Sequence, residues 1–304
     1  MGGLRIGTRG SALALAQTRT IAAALTAAAG HPDVEIVQLT TSGDRGDHEN
    51  RADKSRWVDT IEDALLAGEI DLAVHSAKDV PGEPADGLTL LGAPPRADAR
   101  DVLCGADSLA SLPTGARVGT SSLRRTAQLH ALREDLDVVA LGGNIDTRLR
   151  RLAEGGFDAI VLARAGLERL GRDTGASLDE LVPAPGQGAL ALQARAEDAR
   201  AREAVAAILD SDATACLRAE RALARALDAS CHTPLGAHAA PAGCGCLQLR
   251  AWVGLPDGSA WIADELVGGF YDPDALGASV AERMSLAGAR DLLGRAEAMV
   301  GGGV

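Results

Sequence analysis

The sequence predicts an α/β protein with two lobes and a small third domain of α+β type. Over the first two thirds of the 304-residue chain, short apolar runs alternate with helical patterns, which is typical of parallel sheets covered on both faces. Two segments rich in proline and glycine, 92–96 and 183–188, interrupt this alternation and are interpreted as linkers. From about Ser211 the pattern changes to long helices and a few short strands, which predicts the third domain.

The first two lobes are predicted from apolar runs that are short enough for strands, each followed by a helical pattern. In the first lobe, the strands are expected at Leu4–Gly7, Val34–Leu39 and Ile70–His75, and the helices at Ser11–Ala29 and Val58–Ala67. In the second lobe, the strands are expected at Arg117–Gly119, Val138–Leu141 and Ala159–Ala163, and the helices at Leu123–Leu132 and Asp146–Ala153.

The remaining elements predict a chain that crosses between the lobes twice. A short apolar segment, Ala189–Gln193, follows the second linker and returns to the first lobe. The third domain is predicted from a helix at Ala213–Leu227, strands near Cys246–Val253 and Ala260–Val267, and a last helix at about Ala275–Glu297. The predicted domains are therefore 1–93 with 189–208, 97–183, and 211–304.

Composition and charge exclude several classes of function. The net charge of −12 argues against a general electrostatic grip on nucleic acid, and an aromatic content of 2% argues against base stacking on aromatic side chains. The N-terminal sequence has no pattern typical of a signal peptide, and polar residues interrupt the apolar run 11–29, so we expect a cytoplasmic protein with no membrane partner.

The five cysteines do not suggest a disulfide framework, because their number is odd and no CxxC motif occurs. Cys244 and Cys246 flank one glycine, but no second ligand pair has suitable spacing. We interpret this motif as part of a hairpin and predict no metal site.

Three strand-to-helix junctions resemble anion-binding sites, because helix N-termini present unpaired backbone N–H groups. They are the segments 6–11, 118–122 and 142–144. The arginines at or near these junctions are Arg9, Arg124, Arg125, Arg148 and Arg169. Any one of them could equally be a surface arginine of a GC-rich gene, but arginine is suited to bidentate binding of carboxylates. The set predicts a cleft between the lobes for a ligand with several carboxylates.

Two further segments contain residues that could take part in catalysis or in covalent attachment of a cofactor. The apolar run 72–74 leads into His75, Ser76, Lys78 and Asp79, and Lys78 is one of only two lysines in the chain. Asp79 could stabilise a cationic intermediate and move protons, although an ordinary strand-to-loop transition gives the same pattern. Cys231 lies in a loop rich in Ser, His, Pro and Gly. It is either a nucleophile or attachment site, or a small buried apolar residue.

Taken together, these motifs resemble the porphobilinogen deaminase family, also called hydroxymethylbilane synthase. The resemblance extends over essentially the whole chain and rests on the segments 4–14, 73–81, 118–125, 185–189 and 231–236. It implies three domains, of which the first two are lobes like those of periplasmic binding proteins. It also implies a monomeric transferase of tetrapyrrole and haem biosynthesis that joins four porphobilinogen molecules head to tail. Ammonia is lost at each step, and linear hydroxymethylbilane is released.

The resemblance also implies roles for individual residues. Cys231 would hold a dipyrromethane primer through a thioether, Asp79 would act as acid and base, and Lys78 would lie beside it. Cofactor binding is implied for Arg9, Ser11, Lys54, Lys78, Asp79, Thr120, Ser121, Ser122, Arg124, Arg125, Gly143 and Arg148. Substrate binding is implied for Arg9, Ser11, Arg148, Arg169 and Gln187.

The chain departs from the family pattern at two places. Gly142 stands where the family usually has an arginine, and the segment 52–57 lacks the glycines of the family's flexible loop, although Lys54 remains. These departures keep two alternatives open. One is a divergent enzyme that makes a shorter or different pyrrole oligomer, and the other is a non-catalytic protein of the same fold that binds an anionic ligand.

Overall fold

The computed structural model describes residues 3–29, 33–41, 58–229 and 233–301. The strands are β1 (Leu4–Arg9), β2 (Val34–Leu39), β3 (Leu72–Ser76), β4 (Leu88–Gly92), β5 (Asp101–Cys104), β6 (Arg117–Gly119), β7 (Asp137–Val139), β8 (Ala159–Ala163), β9 (Ala176–Leu178), β10 (Leu190–Arg195), β11 (Leu235–Gly243), β12 (Cys246–Gly254) and β13 (Trp261–Gly269). The α-helices are α1 (Ala12–Ala29), α2 (Asp59–Leu66), α3 (Leu123–Leu132), α4 (Ile145–Ala153), α5 (Arg164–Arg169), α6 (Ala199–Ala206), α7 (Ser211–Ala226), α8 (Pro273–Leu286) and α9 (Ala289–Gly301).

Two five-stranded sheets form the two lobes. The first has the order β2-β1-β3-β10-β4 and the second has the order β7-β6-β8-β5-β9. The segments 93–100 and 179–189 connect the two sheets, so the chain leaves the first sheet after β4 and returns to it with β10. Each sheet has an apolar core of its own, for example Ile6 and Leu192 in the first and Val118 and Val161 in the second.

The expectation of parallel sheets is wrong for one inserted strand in each lobe. β10 is antiparallel to both β3 and β4, and β5 is antiparallel to both β8 and β9. Each of these two strands follows a connection from the other lobe, so it enters its sheet from the opposite end. A crossover helix is what makes consecutive strands parallel, and neither connection provides one. β4, β5, β9 and, in the third domain, β11 were not predicted from the sequence.

The third sheet is antiparallel, with the order β11-β12-β13, and α7, α8 and α9 pack against it around a shared apolar core. The prediction of one last helix is wrong, because the chain forms α8 and α9 instead. Gly288 separates them at a φ of 98°, and its N–H bonds to the carbonyl of Ser285. Glycine adopts this left-handed conformation without steric cost, so it ends the first helix.

Some of the predicted bounds agree with the structure and others differ. β2, β6, β8 and α3 have the predicted bounds. The strand predicted at 138–141 is instead β7 (137–139), since residues 140–144 form the loop before α4. Cys244 and Gly245 form the turn of the β11–β12 hairpin. Among the described residues, no group of three His, Cys, Asp or Glu side chains could hold a metal ion. No helix in the described ranges is long and apolar enough to cross a membrane.

A buried carboxylate connects the third domain to both crossovers. Glu220 on α7 is 0% exposed. It accepts hydrogen bonds from Arg96 Nη1 at 2.6 Å, from the Gly186 N–H at 2.6 Å and from the Ala239 N–H at 2.7 Å. Arg96 lies in the first crossover and Gly186 in the second, so one side chain fixes both connections against the third domain. The three domain ranges themselves stay a prediction.

Candidate active site

The site begins at a short turn after β3. Ala77–Asp79 form one turn of 3₁₀ helix, and the Ala77 N–H donates to the Ala189 carbonyl at 3.0 Å. Gly186 of the second crossover packs directly on this turn. A Cβ at Gly186 would lie 2.9 Å from the Ala77 carbonyl carbon, and its φ is 76°. Glycine is therefore required there on both counts, and the turn is held close to the crossover.

Two cavities meet at this turn. The smaller has a volume of about 300 Å³ and the larger about 620 Å³, and Lys78, Asp79, Arg125 and Arg148 line both of them. Of the predicted site residues, Ser121, Ser122, Arg124 and Gln187 line the smaller cavity, and Arg9, Ser11, Gly143 and Arg169 line the larger. Thr120 lines neither; it is buried, and its Oγ1 accepts a hydrogen bond from the Ser122 N–H.

Burial changes the proton affinities of two side chains at the turn. It lowers the pKa of Lys78 to about 8, against the attraction of Asp79. It lowers the pKa of His75 to about 4, and His75 Nε2 lies 2.9 Å from Gln193 Oε1. At neutral pH, Lys78 is therefore mostly charged but close to its titration range, whereas His75 is neutral.

Arg124 and Arg125 do not extend freely into the cleft, because both pair with a buried aspartate that the sequence analysis missed. Asp101 Oδ2 lies 2.8 Å from Arg124 Nη1, and Asp101 Oδ1 lies 2.7 Å from Arg125 Nη2. Gln187 Nε2 donates to the same Oδ1 at 2.9 Å. Burial alone would raise the pKa of Asp101, but the two guanidinium groups outweigh it and keep the pKa well below its ordinary value. Asp101 thus fixes both arginines at the cavity wall.

The larger cavity keeps an excess of positive charge. Among the described residues, its basic side chains are Arg9, Lys78, Arg125, Arg148 and Arg169, and its acidic ones are Asp79 and Asp146. Arg148 Nε donates to the Gly143 carbonyl and Arg169 Nη2 to the Gly188 carbonyl, each at 2.8 Å. Burial lowers the pKa of both arginines. In a chain with a net charge of −12, this concentration of cations favours an anionic ligand.

Two predicted residues lie outside the described part of the chain. These are Lys54, and Cys231 between Ala229 and Thr233. Ala229 and Thr233 both line the smaller cavity, as does Arg221 of α7, which the sequence analysis also missed. The third domain thus closes one side of this cavity.

Residues 4–203 match the family model "Porphobilinogen deaminase, dipyromethane cofactor binding domain", and residues 214–285 match the model "Porphobilinogen deaminase, C-terminal domain". The chain belongs to the porphobilinogen deaminase family. The resemblance inferred from the motifs is thereby confirmed.

Several members of the porphobilinogen deaminase family match nearly the whole chain. The porphobilinogen deaminase of Deinococcus radiodurans is 45% identical over 300 residues, covering 95% of this chain and 97% of that protein. That of Leifsonia xyli subsp. xyli is 47% identical over 290 residues, covering 91% and 87%. Among solved structures, a periplasmic substrate-binding protein of an ABC transporter from Coxiella burnetii has a TM-score of 0.42 at 16% identity, covering 67% of this chain and 91% of that one.

The residues present fit the dipyrromethane cofactor that names the family's domain. Such a group carries acetate and propionate arms, and the smaller cavity offers Lys78, Arg124, Arg125, Arg148 and Arg221. Arg124 Nε is buried and has no hydrogen-bond partner among the described residues. A buried donor of this kind usually finds a partner in the functional state, so the donor set suits a group with several carboxylates.

Proposed function

We propose that the chain is a hydroxymethylbilane synthase. It condenses four porphobilinogen molecules head to tail with loss of ammonia, starting from a dipyrromethane primer on Cys231, and releases linear hydroxymethylbilane. One observation carries the proposal. Asp79 stands at the junction of two cavities whose described walls are rich in arginine, so a carboxylate faces the place where polyanionic pyrroles would meet.

Asp79 would provide the acid–base chemistry. When ammonia leaves the aminomethyl group of porphobilinogen, the substrate is left with a positive charge, which an adjacent carboxylate stabilises. Asp79 could also take up the proton released after the new carbon–carbon bond forms. Lys78 is a second candidate for proton transfer, because its pKa of about 8 lies near neutral pH.

The arginines would bind the acidic arms of substrate and cofactor. Arg9, Arg148 and Arg169 line the larger cavity and are proposed to bind porphobilinogen, together with Ser11 and Gln187. Arg124 and Arg125, fixed by Asp101, are proposed to bind the cofactor with Ser121, Ser122 and the backbone at Gly143. When bound, dipyrromethane supplies the pyrrole carbon to which the first substrate is joined.

Three further properties belong to the proposal. We propose that the protein is a cytoplasmic monomer, in keeping with the family resemblance, and that nucleic acid is not a partner, in keeping with the net charge of −12.

The second candidate function is the synthesis of a shorter or different pyrrole oligomer. It is favoured by Gly142, which stands where the resemblance leads us to expect an arginine, although a side chain would meet no atom within 4 Å of its Cβ there.

The test is incubation of the purified protein with porphobilinogen, with ammonia and pyrrole products measured together. We expect one ammonia per porphobilinogen consumed and a product with the mass of a linear tetrapyrrole. The matched control is Asp79→Asn, which keeps the size of the side chain and removes its charge.

The ratio and the product mass separate the alternatives. Ammonia release with dipyrrole or tripyrrole products would support the shorter oligomer. Binding of porphobilinogen without any ammonia release would overturn the proposal of an enzyme and favour a binding protein.

A further inference from the structure

Helix α7 of the third domain packs along the loop that carries Lys78 and Asp79. Ala213 and Leu217 on this helix share one apolar cluster with Ala77 and Val80 of the loop. Arg221 follows Leu217 at the same spacing of four residues, which places it on the same face of the helix. The same face of α7 therefore makes apolar contacts with the turn through Ala213 and Leu217, and it presents the charged Arg221 one helical turn later.

Arg221 makes that charged contact through one nitrogen. Its Nη2 donates to the Pro81 carbonyl and to the Gly82 carbonyl, each at 2.7 Å. The side chain is buried, with 8% of the residue exposed, and it lines the smaller cavity with Lys78 and Asp79. Burial lowers its pKa to about 10, so it remains charged at neutral pH.

The segment that Arg221 holds needs external support. The hydrogen bond that closes the turn, from the Val80 N–H to the Ala77 carbonyl, is long at 3.3 Å. The carbonyls of Pro81 and Gly82 come two and three residues after Asp79. Hydrogen bonds from a charged donor are stronger than those between neutral groups, so the contact with Arg221 fixes the chain directly after the catalytic turn.

We propose that Arg221 is a positioning residue, which holds the segment 77–82 so that Asp79 stays at the junction of the two cavities. The third domain thereby sets the position of the acid in the first lobe. The consequence for turnover rests on the proposed function, whereas the consequence for the loop does not.

The experiment compares Arg221→Met with Arg218→Met. Arg218 lies on the same helix, is exposed, and pairs with Asp274 inside the third domain. Amide hydrogen exchange, read by mass spectrometry, is measured over peptides that cover 77–83. We expect exchange there to be at least about tenfold faster in Arg221→Met, because two charge-assisted hydrogen bonds are lost. Arg218→Met should exchange like the wild type, and Arg221→Lys should recover part of the protection.

Steady-state kinetics with porphobilinogen test the consequence for catalysis. A positioning role predicts that kcat falls at least about tenfold in Arg221→Met while KM changes less than about threefold, and that Arg221→Lys recovers part of kcat. A raised KM with unchanged kcat would overturn the proposal, because Arg221 would then bind substrate directly.

Unchanged exchange at 77–83 would also overturn it. If Arg221→Met does not fold, Arg221→Gln decides by the same measurement, because glutamine is too short to reach both carbonyls. The exchange experiment uses no substrate, so it stands even if the wild type makes no tetrapyrrole and the proposed function fails.

Discussion

The surroundings determine the protonation states of three ionisable side chains near the turn, of which Asp101 and His75 are buried and Lys78 is partly buried. Asp101 is kept ionised by Arg124 and Arg125 despite its burial, His75 is kept neutral by burial, with a pKa of about 4, and Lys78 lies near its titration point, with a pKa of about 8. Only the last of these can change charge near neutral pH. Among the described residues, Asp79 is the acidic residue that lines both cavities.

Replacing Asp79 with asparagine should abolish most of the turnover. We expect kcat to fall at least about 100-fold, which is the lower end for the loss of a general acid–base group, with a much smaller change in KM. The measurement is ammonia release from porphobilinogen. Asp107→Asn is the control, because Asp107 is exposed and lines neither cavity. Turnover within about threefold of the wild type would contradict the assignment.

His75 should make the fold sensitive to acid. Its pKa is about 4 in the folded protein and 6.5 ordinarily, so below pH 6.5 the unfolded chain binds a proton that the folded chain does not. The contribution of neutral His75 to the free energy of unfolding is fully present above pH 6.5. It decreases by roughly 3 kcal/mol as the pH falls to about 4.

Urea denaturation of the wild type and of His75→Gln at pH 7.5 and pH 4.5 measures this effect. The free energy of unfolding should fall by about 2–3 kcal/mol more in the wild type than in the variant between the two pH values. An equal fall in both proteins would show that His75 does not titrate as the structure implies.

The loop before α4 contains Gly142, the position at which the sequence analysis expects an arginine in the family. The Asn144 side chain caps α4 by accepting from the Thr147 N–H at 2.8 Å. Gly143 needs its φ of 103°, but Gly142 has open space around its Cβ position and no such φ. An arginine is therefore compatible with the backbone at 142.

Gly142→Arg should raise the rate of tetrapyrrole formation. The neighbouring Gly143 lines the larger cavity together with Arg125, Arg148 and Arg169. We therefore expect a guanidinium at position 142 to bind another carboxylate and to lower KM by roughly tenfold. Gly142→Ala is the control for the backbone and should leave the rate unchanged. If the arginine variant is no faster and binds no more tightly, the missing side chain does not limit this protein.

Local patterns explain which elements could be predicted. Strands that precede helices, such as β6 before α3, are encoded by neighbouring residues. β5 and β9 are three or four residues long, and β5 pairs with β8 and β9, which lie far away in the sequence. Their positions therefore depend on contacts that the sequence pattern does not show. The antiparallel direction of β10 depends on the same long-range return.

The missed site residues depend on contacts between distant segments. Asp101 meets Arg125 across 24 residues, and Arg221 meets Pro81 across 140. One signal was available for each of the two buried acids. Asp101 begins a strand whose four residues are all buried, and Glu220 lies on the apolar face of α7. A charge on an apolar face indicates a buried partner.

In the whole molecule, the third domain contributes contacts that hold the site together. Glu220 fixes both crossovers, and the next residue, Arg221, holds the loop after Asp79. The same domain carries Cys231, which lies outside the described residues. We therefore expect a cofactor on Cys231 to reach the two cavities at Asp79.

The intact mass of the purified wild type, of Cys231→Ser and of Cys244→Ser shows whether Cys231 carries the cofactor. Cys244 is an exposed cysteine in the hairpin between β11 and β12, so it is the matched control. We expect the wild type and Cys244→Ser to be heavier than the bare chain by one dipyrromethane unit and Cys231→Ser to have the bare mass. A wild type that keeps the bare mass even after incubation with porphobilinogen, or a Cys231→Ser variant that carries the added mass, would contradict the account.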